Sequence, residues 1–433
     1  MRARGKVLCS LCELLPGGVL LSPQVFAWIV LGAVLVSVAS GRLRPDLVAL
    51  TGIGLLGATR VAPPEVLFSG FSHPAVITVA AVLVMSAAIT ASGALRGVGL
   101  ALAHRTSGVR GQVLGLAAVT ALLSAFMNNV GALGVTLPAA ERMAERARVS
   151  PASFGMPLAQ AGILGGTLTL IGSAPNLIIS SYRASQGGTG FHMFSFLPHG
   201  MAALLAAASL WALWGPKATE VTGDPESEDI ASLPEIPDVR RRIKLLAIPG
   251  AAVIGVATGL MDAPVGFTLA ALGMVGVGIL PIAEAYRRMN LDVIIFLAGM
   301  IGIGATLEHI GALAAVADAV ASRVTGVPDP LLILAFLFTS SAISNAINNS
   351  AAAVFMGSLA LSIAGSPAVT VGADALLMAV AAGSCMALIL PTHQATVLAM
   401  ARTSFAPPAF ARSGLLLTVI SGGAAALAIW LIW

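Results

Sequence analysis

Read for hydropathy alone, the chain is a series of long apolar stretches joined by short polar connections. The stretches fall at roughly 24–40, 46–62, 74–103, 111–140, 155–181, 198–215, 244–261, 264–282, 291–322, 329–364, 372–401 and 413–433. Helices that cross a membrane need about 20 apolar residues, and most of these stretches approach that length. Two behave differently. Residues 111–140 and 329–364 carry a polar cluster at mid-length and polar or charged residues at both ends. Each is expected to be a helical hairpin that enters the membrane and returns on the same side. Such backbone is tolerated at membrane depth only where it is buried in protein or lines a cavity. Ten true crossings then remain.

The basic residues test this topology. With the loop Gly41–Asp46 in the cytoplasm, the inside loops hold Arg42, Arg44, Arg105, Arg110, Arg142, Arg146, Arg148, Lys217, Arg240, Arg241, Arg242, Lys244, Arg287, Arg288, Arg402 and Arg412. The outside loops hold only Arg60, Arg183 and Arg323, a sixteen-to-three asymmetry that matches the positive-inside rule. Reading either hairpin as a single crossing inverts everything after it and destroys the asymmetry. Arg2, Arg4 and Lys6 fall on the wrong side, so residues 1–23 are set apart as an N-terminal extension. The one polar segment of any length, 216–244, is expected to be a cytoplasmic linker.

The two halves, 24–215 and 245–433, repeat one another. Ser124-Ala-Phe-Met-Asn128-Asn129-Val130 has its match in Ser344-Asn-Ala-Ile-Asn348-Asn349-Ser350, offset by 220 residues. Ser92-Gly-Ala-Leu95 pairs with Ile310-Gly-Ala-Leu313 at offset 218. Gly172-Ser-Ala-Pro-Asn-Leu177 begins 44 residues after Asn128, and Pro391-Thr-His-Gln-Ala-Thr396 begins 43 after Asn348. Five crossings per half is an odd number, so the second half is expected to lie upside down relative to the first. Inverted repeats with a midplane site are an architecture of secondary transporters. The fold expected is an all-α polytopic membrane protein of two inverted repeats, each with a re-entrant hairpin and a broken transmembrane helix.

Candidate chemistry collects at the same four places. Adjacent carboxamides inside apolar hairpins need partners, because an unpaired polar group in such surroundings costs several kcal/mol. At a hairpin tip the backbone stops pairing with itself, so carbonyls ending one half-helix can hold a cation and N–H groups opening the next can hold an anion. The plainer alternative is that the Asn side chains only cap the half-helices. Gly172-Ser-Ala-Pro-Asn176 and Pro391-Thr-His-Gln394 read as breaks within membrane helices, a sequence pointer to a transporter site. His393 is the one histidine in these elements. Asp292 and the pair Glu308-His309 lie in or near an apolar stretch, where ionisable groups are functional candidates.

Composition narrows the class. Charged residues make up 10% of the chain and hydrophobic residues 57%. A soluble surface carries roughly a quarter charged residues, so the shortage points to a membrane protein. The net charge of +4 then reflects basic loops facing anionic lipid rather than nucleic-acid binding. Cys9 and Cys12 have no second pair to complete a zinc site, and Cys385 lies in an apolar run. No H-E-x-x-H, G-x-S-x-G or P-loop pattern occurs, so an enzyme has little support.

These residues resemble the divalent anion:sodium symporter family, within the ion-transporter group that includes citrate-transporter-like permeases and arsenite pumps. The resemblance runs over roughly 24–433. It is carried by Gly41-Arg-Leu-Arg-Pro-Asp46, Gly70-Phe-Ser-His-Pro-Ala-Val-Ile-Thr-Val79, Ser124-Ala-Phe-Met-Asn-Asn129 and Leu390-Pro-Thr-His-Gln394. It implies a homodimer in the cell membrane, with no organic cofactor. It further implies movement of a small anion, a di- or tricarboxylate or sulfate, with Na+ or H+ by an elevator-like shift. The substrate contacts it implies are Asn128, Asn129, Val130, Pro175, Asn176, Asn348, Asn349, Ser350, His393 and Thr396. The sodium ligands it implies are Ser124, Asn128, Asn129, Gly172, Ser173, Ser344, Asn348, Asn349, Pro391 and Thr392. The chain departs from the family pattern where Asn replaces the first Ser of both tips, where Val130 replaces a Thr, and where Thr396 stands in place of an Asn. Cation/proton antiport or oxyanion efflux on the same fold stays open beside symport, and a non-transporting membrane protein is the reading from a different class.

Overall fold

The computed structural model describes residues 22–92, 108–186, 189–214, 239–324, 326–367 and 369–433. Nearly all of the N-terminal extension and most of the linker lie outside them, as do Cys9, Cys12, Leu95, Arg105 and Lys217. The regular elements among the described residues are 19 α-helices and one 3-10 turn at Ser69–Ser72. Several helices open on a proline in their first turn, where its missing N–H costs nothing and its fixed φ suits the helix.

The first half begins with α1 (Pro23–Ala39), α2 (Pro45–Ala58), the short α3 (Pro64–Leu67) and α4 (Pro74–Ser92). A hairpin follows, α5 (Val109–Ser124) and α6 (Asn129–Ala147), and Thr120 on one arm donates to Thr136 on the other at 3.0 Å. Then come α7 (Ala152–Gly165) and α8 (Ala174–Ser185), separated by a non-helical break, and α9 (Leu197–Trp214). The second half holds α10 (Val239–Ala257), α11 (Ala263–Gly276), α12 (Ile282–Arg288), α13 (Leu291–His309) and α14 (Ala312–Val324). Its hairpin is α15 (Asp329–Ala346) with α16 (Asn349–Ala364). Its broken helix is α17 (Ala373–Cys385) with α18 (Gln394–Thr403), and α19 (Pro407–Ile432) closes the chain.

The stretch at 291–322 is two helices rather than one. The chain turns at Gly311, whose φ of +69° is accessible to glycine at no steric cost. Glu308 and His309 therefore sit at the exposed end of α13, not within the packed interior. Among the described residues three helices, Leu291–His309, Asp329–Ala346 and Pro407–Ile432, are long and apolar enough to cross a membrane by length and composition. Other helices are apolar but shorter, among them the hairpin arms Val109–Ser124 and Asn349–Ala364 and the half-helix Ala373–Cys385.

The helices sort into two groups. In one, α2 packs on α13, α11 on α4, and α10 on α11. In the other, each hairpin packs on the broken helix of its own half, α5 and α6 on α7, and α15 and α16 on α17. The halves also interlock, since α8 lies against α16 and α17 while α18 lies against α6 and α7. Glycine permits the closest approach. A Cβ on Gly165 of α7 would strike the backbone of Ala121 on α5, and a Cβ on Gly383 of α17 would strike that of Leu337 on α15. The long α9 and α19 pack on each other and brace this second group from outside.

Candidate transport site

Each tip is built by the same three residues. Asn128 is the N-cap of α6, and its Oδ1 accepts from the Val130 N–H at 3.0 Å. Asn348 does the same for α16, accepting from Ser350 N–H at 2.8 Å. The plainer role for these amides, closing a helix end that would otherwise leave a donor unpaired, is thus real for the first Asn of each doublet. The second Asn does something else. Ser124 Oγ lies 2.8 Å from Asn129 Oδ1 and 2.7 Å from the Gly162 carbonyl. Ser344 Oγ lies 2.8 Å from Asn349 Oδ1 and 2.6 Å from the Ser384 carbonyl. One hydroxyl proton faces two acceptors in both cases. The network closes when the carboxamide is turned end for end. The Ser then donates to the carbonyl, the amide Nδ2 donates to the Ser, and Oδ1 is released as a free oxygen.

The two breaks supply the facing wall. α7 ends at Gly165 and α8 starts at Ala174, with Ser173 as an N-cap that makes no side-chain capping bond. α17 ends at Cys385 and α18 starts at Gln394, where His393 Nδ1 accepts from Ala395 N–H at 3.2 Å. That bond places the proton of a neutral His393 on Nε2, leaving a donor.

Tips and breaks meet around a cavity of about 190 Å³. One water needs roughly 10–15 Å³ on such a measure, so the space holds a small organic anion or a hydrated inorganic one. Asn128, Asn129, Asn348, Asn349, Ser344 and Ser350 reach it from the tips, and Gly172, Ser173, Pro175, Thr392 and His393 from the breaks. Five expected residues are not at its wall. Ser124 is fully buried behind Asn129, and Asn176 and Thr396 are fully buried in their half-helices. Val130 packs with the apolar cluster between α6 and α7, and Pro391 is half-buried outside the cavity. Gln394 and Ile347 also line the cavity, as does an apolar wall of Val79, Val82 and Leu83 from α4, with Val293 from α13. Gln394 was legible as part of the break. The α4 wall carries no polar signal and only the packing reveals it.

The electrostatics follow from the helix directions. The N-termini of α6, α8, α16 and α18 all open at this cavity. Each contributes the equivalent of about half a positive charge. No Lys, Arg, Asp or Glu lines the cavity among the described residues. The site therefore presents about two positive charges made of backbone, with amide and hydroxyl groups to orient whatever it holds. No ionisable group other than His393 takes part.

The profile of the citrate transporter family matches residues 26–383. An uncharacterized transporter of Mycobacterium bovis is 27% identical over 435 residues, covering 94% of this chain and 98% of that one. The uncharacterized transporter YfbS of Escherichia coli is 35% identical over 179 residues, but these span 40% of this chain and only 29% of that protein. An uncharacterized transporter of Synechocystis is matched over 25% of its length, so these two relatives are much longer than the part shared. Among solved structures, the Alcanivorax borkumensis YdaH transporter aligns with a TM-score of 0.61 at 15% identity, over 94% of this chain and 98% of its own. Neisseria gonorrhoeae MtrF, presented as illuminating a class of antimetabolite efflux pumps, aligns at 0.60 and 12% identity over 96% of both chains. At such identities the likeness is one of fold. Since the profile runs through both hairpins and the first broken helix and into the second, the chain belongs to the citrate transporter family.

Proposed function

We propose that the chain is a secondary active transporter of a small anion, of the di- or tricarboxylate or sulfate class, coupled to Na+ or H+. The observation that carries this reading is the convergence of four half-helix N-termini on one cavity that, among the described residues, no Lys, Arg, Asp or Glu lines. Such a field favours an anion, and its total of about two half-charge pairs suits a dianion better than a trianion unless a cation binds as well. The released Oδ1 atoms of Asn129 and Asn349, with the Ser124 and Ser344 hydroxyls behind them, are hard oxygen donors for Na+. The backbone carbonyls of Gly172, Ser173, Pro391 and Thr392 complete the proposed cation sites.

Movement is proposed to be of elevator type. The interlocked hairpins and broken helices form the moving body, and α1, α2, α4, α10, α11 and α13 form the frame. The two groups of packed helices support that division. Each half, 24–215 and 245–433, is proposed as one inverted repeat, and the assembly as a homodimer in the cell membrane.

The test is uptake into liposomes carrying the purified chain. Labelled sulfate, succinate and citrate are offered with and without an inward Na+ gradient, and again with a proton gradient. Accumulation of at least one anion under one gradient is expected. If no anion responds to Na+, the sodium-symport reading falls, and a response to protons alone assigns H+ coupling. Anion exit driven by an outward-facing gradient, with no uptake, would instead establish efflux. Sodium–proton exchange without anion movement would establish antiport.

A further inference from the structure

Two buried carboxamides outside the tip doublets hold the helix breaks, and they occupy different places in the two halves. In the first half Asn176, fully buried in α8, donates from Nδ2 to the carbonyls of Gly166 at 3.0 Å and Thr169 at 2.7 Å. The helix ends on either side of the breaks, Gly165 with Cys385 and Ala174 with Gln394, are offset by 220 residues, and on that register Gly166 corresponds to Met386. The Met386 carbonyl also accepts from an amide, but from Asn345 Nδ2 at 3.3 Å, and Asn345 lies on the hairpin arm α15. The same Nδ2 donates to the Ser341 carbonyl at 2.8 Å, while Oδ1 accepts from the N–H groups of Ile389 at 2.8 Å and Leu390 at 3.0 Å. One side chain thus satisfies a partly buried stretch of non-helical backbone that has no ladder of its own.

The positions without the amide complete the pattern. Asn345 corresponds to Ala125 in the first half, and Asn176 corresponds to Thr396 in the second. Thr396 is fully buried and its Oγ1 has no hydrogen-bond partner. The repeat has one amide per break, set on the broken helix in the first half and on the hairpin in the second. What the second amide holds is the segment 386–393, which ends in Thr392 and His393 at the cavity wall.

We propose that Asn345 is the positioning residue of the second break. On this view it aims the N-terminus of α18 at the cavity as Asn176 aims that of α8, and the amide can be moved between the two sites. The consequence for uptake rests on the transporter reading, whereas the consequence for the backbone does not.

The experiment compares the full chain with the variants N345A and N345A/T396N in detergent and in liposomes. Hydrogen exchange at Ile389 and Leu390, read by mass spectrometry, is expected to be at least tenfold faster in N345A and unchanged across 166–173. N345A/T396N, which returns an amide to reach the Met386 carbonyl from α18, is expected to slow exchange across 386–390 and to melt higher than N345A. In liposomes N345A is expected to raise the half-saturating anion concentration more than it lowers maximal uptake, and the double variant to reverse part of that change. Unaltered exchange at 389–390 in N345A overturns the positioning role. A double variant no better than N345A, or failure of both to fold, overturns the exchange of amides. Should the unmodified chain take up none of the anions offered, the functional reading fails while the exchange data still decide this one.

Discussion

The two hairpin tips share their chemistry but not their surroundings. Both use a Ser–Asn pair and an Asn cap, with nearly equal distances. Beyond those atoms they diverge. The residue after the doublet is Ser350 at the cavity wall in the second tip, and Val130 packed among apolar residues in the first. The hairpins also differ in how they are held. The first is tied to its broken helix by hydroxyls, Ser124 to the Gly162 carbonyl and Thr169 to the Ala125 carbonyl. The second adds Ser341 to the Met386 carbonyl at 2.8 Å and three bonds of Asn345, to Met386, Ile389 and Leu390. The Ser–Asn pairs proposed to meet an ion are present in duplicate, and what carries each tip differs between the halves. What is shared should therefore mark function, and what differs should mark substrate preference and stiffness.

The largest effect should fall on what is shared. Asn129→Ala and Asn349→Ala are each expected to reduce uptake at least ~30-fold, the loss of a contact worth roughly 2 kcal/mol or more. Both proteins should keep a normal gel-filtration profile and melting temperature. If only one substitution mattered, the duplicate would be a relic in the other half. Next, Ser350→Ala should raise the half-saturating anion concentration about tenfold, the magnitude of one hydrogen bond to a charged group. Val130→Thr should leave it within about twofold, because position 130 is not at the cavity. A gain of affinity in Val130→Thr would show that the first tip reaches the anion after all.

Smaller differences lie in the caps and the ion pairs. Asn128→Ala and Asn348→Ala are each expected to cost ~1 kcal/mol in thermal unfolding, the usual value of an N-cap. The smallest effects should come from two arginines at equivalent ends of α8 and α18. Arg183 pairs with Asp374 at 3.0 Å, donates to the carbonyls of Thr189 and Gly190, and lies 4.7 Å above the Phe191 ring. Arg402 has only its two-pronged contact to Glu141, at 2.8 and 2.7 Å, and is 37% exposed. Arg402→Ala should cost ~0–1 kcal/mol and Arg183→Ala more, because both pairs are partly exposed to water but Arg183 is also held by two carbonyls and an aromatic ring.

Much of this was legible in the chain, because polar residues inside apolar stretches stand out against their background. Ser124, Asn128, Asn129 and their counterparts at 344, 348 and 349 were readable on that ground, as were the breaks at 172–176 and 391–394. The family was readable from the same motifs. What escaped was of two kinds. The apolar wall of Val79, Val82 and Leu83 looks like any membrane helix, since facing a cavity leaves no mark on a hydrophobic residue. Asn176 and Thr396 were expected as contacts through the family resemblance, but burial gives Asn176 a backbone to hold and leaves Thr396 with none. Asn345 sat in plain view beside Ser344, and only its bonds to a segment 41 to 45 residues away show its use. The turn at Gly311 was also missed, although Glu308 and His309 stand just before it, because no proline marks it and apolar residues resume directly after.

The cavity's positive field consists of four backbone fractions with no guanidinium or ammonium among the described lining residues. A carrier must let go as readily as it takes hold. A full side-chain charge would lengthen the time an anion stays bound and would travel with the site whether loaded or empty. Fractions fixed to four separate helix ends behave otherwise. They add up only while those ends meet at one spot, so drawing the end of α8 or α18 away from it would weaken the proposed anion site without any proton moving. Release can then be a matter of aim.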